Sequence, residues 1–217
     1  AKPVTFLGYI SCIGIALIHI IPKEYLPLIV TLLIPAIILI LFAESIFSKM
    51  KTNIIDISVT LFGMAYVLVF FSFIALIRGL NNGNLLVWYI FMAAWGTDIL
   101  AYLVGKYLGK HKFSEISPKK TIEGCIGGLI GAVLFVLIYT AFLNKVFNTN
   151  ISYILMTSYA IIWSILGQIG DFAASTVKRY TGIKDYSNLL PGHGGMLDRF
   201  DSVIFIAPFA YILLMLI

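Results

Sequence analysis

Long apolar blocks constrain this chain more than any other feature. Seven of them, at 4–21, 25–43, 57–77, 85–104, 124–143, 151–170 and 202–217, take up most of the 217 residues. Each runs for about 15–21 residues, the length of a helix that crosses about 30 Å of hydrocarbon. Charged residues make up 12% of the chain and apolar residues 60%, against about 25% charged in an ordinary globular domain. That leaves too little polar surface to coat a water-soluble core. A cytosolic globular domain, a disordered chain and a secreted disulfide scaffold are all excluded. The sequence predicts an all-α, polytopic helical integral membrane protein with about seven transmembrane helices. Residues 1–84 would form N-terminal helices, and 85–217 a catalytic region with polar loops at 105–123 and 171–201. The chain opens with Ala1 rather than Met, which leads us to expect an N-terminally trimmed form with further spans before it.

Charge is sorted between the connections. If every block crosses, Lys2 and the segments 44–56, 105–123 and 171–201 share one side and hold twelve of the fifteen basic residues. Lys23, Arg78 and Lys145 lie on the other. Basic loops mark the cytoplasmic side, so the twelve are expected there. The net charge of +5 is accounted for by this sidedness, and no nucleic-acid partner is expected. Cys12 and Cys125 sit in apolar blocks without metal-ligand spacing and read as small hydrophobes. The fifth block begins with two overlapping GxxxG spacings, Gly124/Gly128 and Gly127/Gly131, which let helix backbones approach closely in lipid.

The acids gather at one membrane level. Asp98 lies near the cytoplasmic end of the fourth block, Glu123 opens the fifth, Asp171 ends the sixth, and Asp198 and Asp201 precede the seventh. Charges within or beside spans are costly and mark function. Asp171, Ser175 and Lys178 stand at i, i+4 and i+7, one helix face, with Arg179 beside it. Asp198 and Asp201 stand at i and i+3. Such carboxylates suit Mg²⁺, which takes oxygen ligands and shares them with substrate phosphates. The turn Pro191-Gly-His-Gly-Gly195 offers backbone N–H groups and His193 to an anion, or is simply a flexible connection. In the other loop, Ser117-Pro118 resembles an N-cap and first helical position. That would place Lys119, Lys120 and Thr121 in the first turn of the fifth helix, where anions bind. Together these residues describe phosphoryl or nucleotidyl transfer onto a lipid at the membrane face.

The stretch 175–201 closely resembles the signature of the phosphatidate cytidylyltransferases, also called CDP-diacylglycerol synthases. Its fixed points are Ser175, Lys178, Arg179, Lys184, Asp185, His193, Gly194, Gly195, Asp198, Arg199 and Asp201. Gly170-Asp171, Asp98, Ala101-Tyr102, Gly105-Lys106, Gly109-Lys110, Ser117 to Thr121 and Glu123-Gly124 are similar to the same pattern. The likeness covers about 95–202; the first 90 residues match only as apolar spans. One departure is Ala174, where members often carry an acid.

The resemblance implies the reaction CTP + phosphatidic acid → CDP-diacylglycerol + pyrophosphate, a Mg²⁺-dependent site facing the cytoplasm from the cell (inner) membrane, a homodimer, and K⁺ as a candidate second cation. It implies that Asp171, Asp198, Asp201 and Asp98 serve the cations, and that Lys178, Arg179, Lys119 and Lys120 neutralise phosphates. Ser175 and Thr121 donate hydrogen bonds. His193 with Gly192, Gly194 and Gly195 cradles a phosphate. Ser117, Lys184, Asp185 and Arg199 complete the substrate-binding set. Two rivals stand beside it: a related cytidylyltransferase acting on another lipid phosphate, and an ion-coupled transporter using Asp98 and Asp171. Clustering of the polar groups at one face rather than at the midplane argues against the transporter.

Overall fold

A computed structural model describes residues 3–17, 24–114, 117, 120–189 and 194–217. Among the described residues every regular element is a helix, apart from one isolated bridge between Lys112 and Thr121. It divides into two compact units, Ala1–Ser72 and Phe73–Ile217.

The first unit holds α1 (Thr5–Leu17), α2 (Leu26–Phe47) and α3 (Ile54–Met64), with a π turn over Ala65–Val69. Asn53 caps α3 by accepting from the N–H groups of Ile55 and Asp56, while the Asp56 carboxylate accepts from the Asn53 N–H at 3.1 Å. This reciprocal cap starts the helix cleanly after the polar segment 48–53. Leu7, Leu41 and Ile57 form a small core.

The second unit holds α4 (Phe70–Arg78, which begins just before it), α5 (Gly83–Leu86), α6 (Trp88–Leu108), α7 (Ile122–Phe147), α8 (Tyr153–Tyr180) and α9 (Leu197–Leu214). Tyr89, Trp163, Ile90, Val136, Met156 and Ile206 are fully buried at its centre. Tyr89 meets Tyr139 edge-on at 4.9 Å between ring centroids, and its hydroxyl lies 3.0 Å from Thr140 Oγ1. Four helical runs, Ile54–Arg78, Gly83–Leu108, Ile122–Phe147 and Tyr153–Tyr180, are long and apolar enough to cross a membrane. The protein is a polytopic helical membrane protein, as the apolar blocks predict.

The glycines of α7 face α6. A Cβ on Gly127 would fall 2.6 Å from the Val104 side chain, one on Gly128 3.1 Å from Thr97, and one on Gly124 2.9 Å from the Ala101 carbonyl oxygen. At the tightest point a Cβ on Gly96 would fall 2.5 Å from the Gly131 carbonyl oxygen, and one on Gly131 nearer still to that of Gly96. On the other side of the unit, Gly170 packs against the Asp201 carbonyl oxygen and Phe205, so α8 and α9 meet closely beside Asp171.

One local expectation is corrected. α7 starts at Ile122, with Thr121 as its N-cap accepting from the Gly124 N–H at 3.1 Å; Ser117 lies four residues before that cap, so Lys120 and Thr121 precede the helix. α8 continues past Asp171 to Tyr180, in keeping with the helix-face spacing of Asp171, Ser175 and Lys178. At 28 residues and 1.5 Å per residue, α8 is about 42 Å long and overshoots a hydrocarbon layer of about 30 Å. It thereby carries Asp171, Ser175 and Lys178 beyond the apolar stretch on one helix.

Replacing Gly131 with Ile would force α6 and α7 apart, since backbone offers no room to yield. A loss of at least about 3 kcal/mol is expected, at the upper end of overpacking costs. It would be read as a lowered melting temperature of the detergent-purified protein, with Gly63→Ile, at a position open in the structure, as the tolerated comparison.

Candidate active site

The seam between α6 and α7 ends at a folded-back loop, residues 109–121. Its shape follows from backbone pairing: the Phe113 N–H donates to the Lys120 carbonyl at 2.9 Å, and the Ile122 N–H to that of His111 at 3.0 Å. The Glu123 carboxylate staples the base by accepting from His111 Nδ1 at 2.6 Å and from the His111 N–H at 3.3 Å. Glu123 is therefore committed to the loop and does not line the cavity beside it. The sequence had grouped it with the other acids.

Folding back brings Lys120 onto α8. Its ammonium forms an ion pair with the Asp171 carboxylate and lies 3.9 Å above the centre of the Phe172 ring. Phe172 in turn stacks on Phe113 at 4.7 Å. One lysine is thus held by a charge and an aromatic face at once.

A cavity of about 480 Å³ opens between α6, α7 and α8. Two acids, Asp98 and Asp171, and two lysines, Lys106 and Lys120, line it, together with Ser117 and Thr121. Its deeper wall is neutral but polar. Thr97 Oγ1 donates to the Ala93 carbonyl at 2.8 Å and lies 2.9 Å from Ser164 Oγ. Gln168 Nε2 donates to Ser164 Oγ at 3.3 Å and to the Cys125 carbonyl at 3.2 Å. Five residues singled out in the sequence, Asp98, Ser117, Lys120, Thr121 and Asp171, meet here from three separate segments. Lys106, Thr97 and Gln168 were not among the expected site residues. Gln168 carried a signal: it is a polar residue inside an apolar block, one helical turn before Asp171.

A second cluster lies two turns further along α8. Lys178 Nζ donates to Asp198 Oδ1 at 2.7 Å, while Asp198 Oδ2 accepts from the N–H groups of Tyr186 at 2.8 Å and Gly195 at 2.9 Å. Both carboxylate oxygens are engaged within the protein, and the side chains are only 14% and 4% exposed. Gly194 adopts φ +79°, which a side chain would strain, and a Cβ on Gly195 would fall 2.6 Å from Ser187 Oγ. The glycines here let the loop close onto Asp198. The sequence reading gave Asp198 to a cation and Lys178 to phosphates; the structure pairs them with each other. Tyr186, absent from the expected set, hydrogen-bonds the Ala174 carbonyl at 3.3 Å, and its ring lies 5.3 Å from Lys178 Nζ. Burial and the charges of Asp201 and Asp198 push its phenol up to about 12, so it stays protonated and donates.

The remaining expected residues are more scattered. Asp201 is buried against α8, and its Oδ1 accepts from the Ser202 N–H at 2.8 Å. The charges of Asp171 and Asp98 reach it, and that of Arg199 reaches Asp98. Arg179, Lys184 and Asp185 are exposed, and Ser175 is half-buried on α8. Lys119, Gly192 and His193 lie outside the described residues. Among the described residues no three acids, histidines or cysteines form one metal-binding group. A cation here would instead use the one or two carboxylates of the cavity together with phosphate oxygens, the habit of Mg²⁺.

A model of the cytidylyltransferase family matches residues 1–217. The phosphatidate cytidylyltransferase of Staphylococcus haemolyticus (strain JCSC1435) is 42% identical over 176 residues, covering 81% of this chain and 65% of that protein. That of Staphylococcus aureus (strain COL) is 38% identical over 217 residues, covering 98% and 81% respectively. That of Bacillus subtilis (strain 168) is 38% identical over 181 residues, covering 82% and 66%.

The Asp198 clamp has an acid limit. Burial alone would push its carboxyl up, but the hydrogen bonds from Lys178, Gly195 and Tyr186 outweigh burial and hold it below the usual carboxylate range. A depressed carboxylate contributes stability that is present above its unfolded value, about 3.9, and is lost as pH falls through the lower folded value. Pepsin cleavage of the 181–189 loop should therefore stay slow at pH 5 and speed up only well below about pH 4. Asp198→Ala, which leaves Lys178 without its partner, should cost about 3–5 kcal/mol and give the fast pattern already at pH 5.

Proposed function

The chain belongs to the cytidylyltransferase family, and we propose that it transfers the cytidylyl group of CTP to phosphatidic acid, making CDP-diacylglycerol and pyrophosphate. The observation that carries this reading is the single cavity in which Asp98, Asp171, Lys106 and Lys120 meet at the loop end of the helices. The curated relatives named phosphatidate cytidylyltransferase support it. The enzyme is a nucleotidyltransferase of phospholipid biosynthesis. Twelve of fifteen basic residues on the loop side support a cytoplasm-facing site in the cell membrane, and the reading includes a homodimer.

The chemistry needs little proton transfer. A phosphatidate oxygen is anionic at neutral pH; it forms a bond to the α-phosphorus of CTP as the bond to pyrophosphate breaks. Both reactants are anions, so the protein must neutralise and align them. Lys120, fixed by Asp171 and Phe172, offers its ammonium to phosphate oxygens without having to be ordered first. Thr121 and Ser117 place hydroxyls on the same wall. Asp98 and Asp171 are hard oxygen donors that fit Mg²⁺ shared with phosphates, and Asp201 lies within electrostatic reach of both. When bound, Mg²⁺ supplies charge neutralisation at the phosphates, and K⁺ is the candidate second cation. Arg179 and Lys184, exposed at and just beyond the end of α8, add positive field, and the Asp198 clamp holds Tyr186 and Gly195 together.

Purified protein in detergent, given CTP, phosphatidic acid and Mg²⁺ with and without K⁺, should form CDP-diacylglycerol detectable by mass spectrometry of the lipid. EDTA should abolish it. Asp171→Asn, which removes a carboxylate and frees Lys120, should lower turnover by about a hundredfold or more, in line with the loss of a transition-state electrostatic partner. A well-folded wild-type protein that makes no product, or an Asp171→Asn variant of near-normal activity, would overturn the assignment.

A further inference from the structure

Of the four charged residues lining the cavity, Lys106 stands apart. Lys120 is paired with Asp171, and Asp98 feels the charges of Asp171, Lys120 and Arg199. Lys106 has no carboxylate partner among the described residues; its ammonium lies instead 5.8 Å from the Tyr102 ring centre and 5.5 Å from that of Tyr107. It sits two residues before the end of α6, exposed at the cavity rim.

Within the second unit, the face of α6 leading to it is apolar and uncovered. Trp95, Ile99 and Tyr102 are 46%, 45% and 64% exposed, and with Lys106 they stand at i, i+4, i+7 and i+11, one stripe along the helix. Tyr102 lines the cavity as well as the stripe. A track suited to acyl chains thus runs up α6 and ends at a cation that opens into the site. Tyrosines at a helix end are at home at the membrane–water interface, which is the depth of lipid phosphates.

We propose that Lys106, flanked by Tyr102 and Tyr107, is the docking point for the phosphate monoester of the lipid substrate, which reaches the cavity from the bilayer along the Trp95–Ile99–Tyr102 stripe. The inference rests on the reaction proposed above and adds the side from which the lipid arrives. A lysine committed to no acid is free to bind a dianionic headgroup, whereas Lys120 must first share with Asp171. The two rings attract the ammonium by their faces without neutralising it, so its full charge stays available to a phosphate. A zwitterionic lipid, with its phosphate already offset by choline, gains less, so the site also selects for phosphatidate.

Two readouts test this. Native mass spectrometry of protein exchanged into equimolar phosphatidic acid and phosphatidylcholine measures retention of the acid lipid. Kinetics in mixed micelles give KM separately for phosphatidate, as surface mole fraction, and for CTP. Lys106→Gln should lower selective retention by about tenfold, the scale of one charge-assisted contact, and raise KM for phosphatidate similarly with KM for CTP unchanged. Lys106→Arg should restore both. Lys145→Gln, at the opposite end of α7, controls for net charge and should change neither. Unchanged retention and KM in Lys106→Gln, or equal rises in both KM values, would overturn the inference while wild-type product formation left the reaction standing. Lys106-dependent retention in a protein that makes no CDP-diacylglycerol would do the reverse.

Discussion

Backbone contact between α6 and α7 is the constraint on which the site depends. From Gly96/Gly131 to Gly105/Gly124 the two helices touch with a glycine on at least one side of each contact. In lipid there is no hydrophobic drive for helices to associate, so close packing of small residues must supply it. The seam fixes more than stability. Asp98 lies two residues beyond Gly96, and Thr121 three before Gly124, so one contact places both within the same cavity. Any residue that spread the seam would separate the acid on α6 from the lysine and hydroxyl that precede α7.

The two lysine–carboxylate pairs differ in what surrounds them, and that difference sorts their roles. Lys120 and Asp171 are 25% and 31% exposed, and pairs open to water contribute at most about 1 kcal/mol. A phosphate or a cation can therefore exchange into this pair at little cost. Lys178 and Asp198 are nearly buried, and Asp198 also takes two backbone N–H groups. Removing one partner of such a pair costs about 3–5 kcal/mol. In the proposed reaction the first pair would be the one that substrate opens, while the second holds the segment after α8 closed against α9.

Much of the architecture was legible in the sequence because it rests on periodicity and on the cost of charge in hydrocarbon. The seven apolar blocks became helices, the GxxxG spacings became the α6–α7 seam, and Asp171, Ser175 and Lys178 share α8. Local competition was harder to read. Ser117-Pro118 and Thr121 both offer a helix start, and the chain uses Thr121, whose cap leaves Lys120 free to reach Asp171. Long-range pairing left no trace at all: nothing in the order of residues says that Asp198 would take Lys178, twenty positions away, or that Glu123 would turn to His111. Lys106 was visible within the Gly105-Lys106 pair but was given no role, since a basic residue at a helix end is already accounted for by membrane sidedness.

Polarity in the cavity is graded along α6, and desolvation explains the order. Lys106 stands at the rim; Asp98, Lys120 and Asp171 form a charged middle; Thr97, Ser164 and Gln168 make a neutral wall behind it. α6 runs on to Leu108, so Asp98 is ten residues from its end, about 15 Å along the axis. A full charge that deep is tolerable only beside partners and water, whereas hydroxyls and an amide need only hydrogen bonds. For the proposed reaction this gradient sets where the reactants can meet. A triphosphate entering from the loop side gains from Lys120 and loses by going further, because beyond it nothing offsets its charge. A lipid phosphate is likewise stopped at the rim by the tails it must leave in the bilayer. In the proposed reaction the two anions would therefore meet where the rim adjoins the charged middle, between Lys106 and Lys120, where both can be neutralised at once.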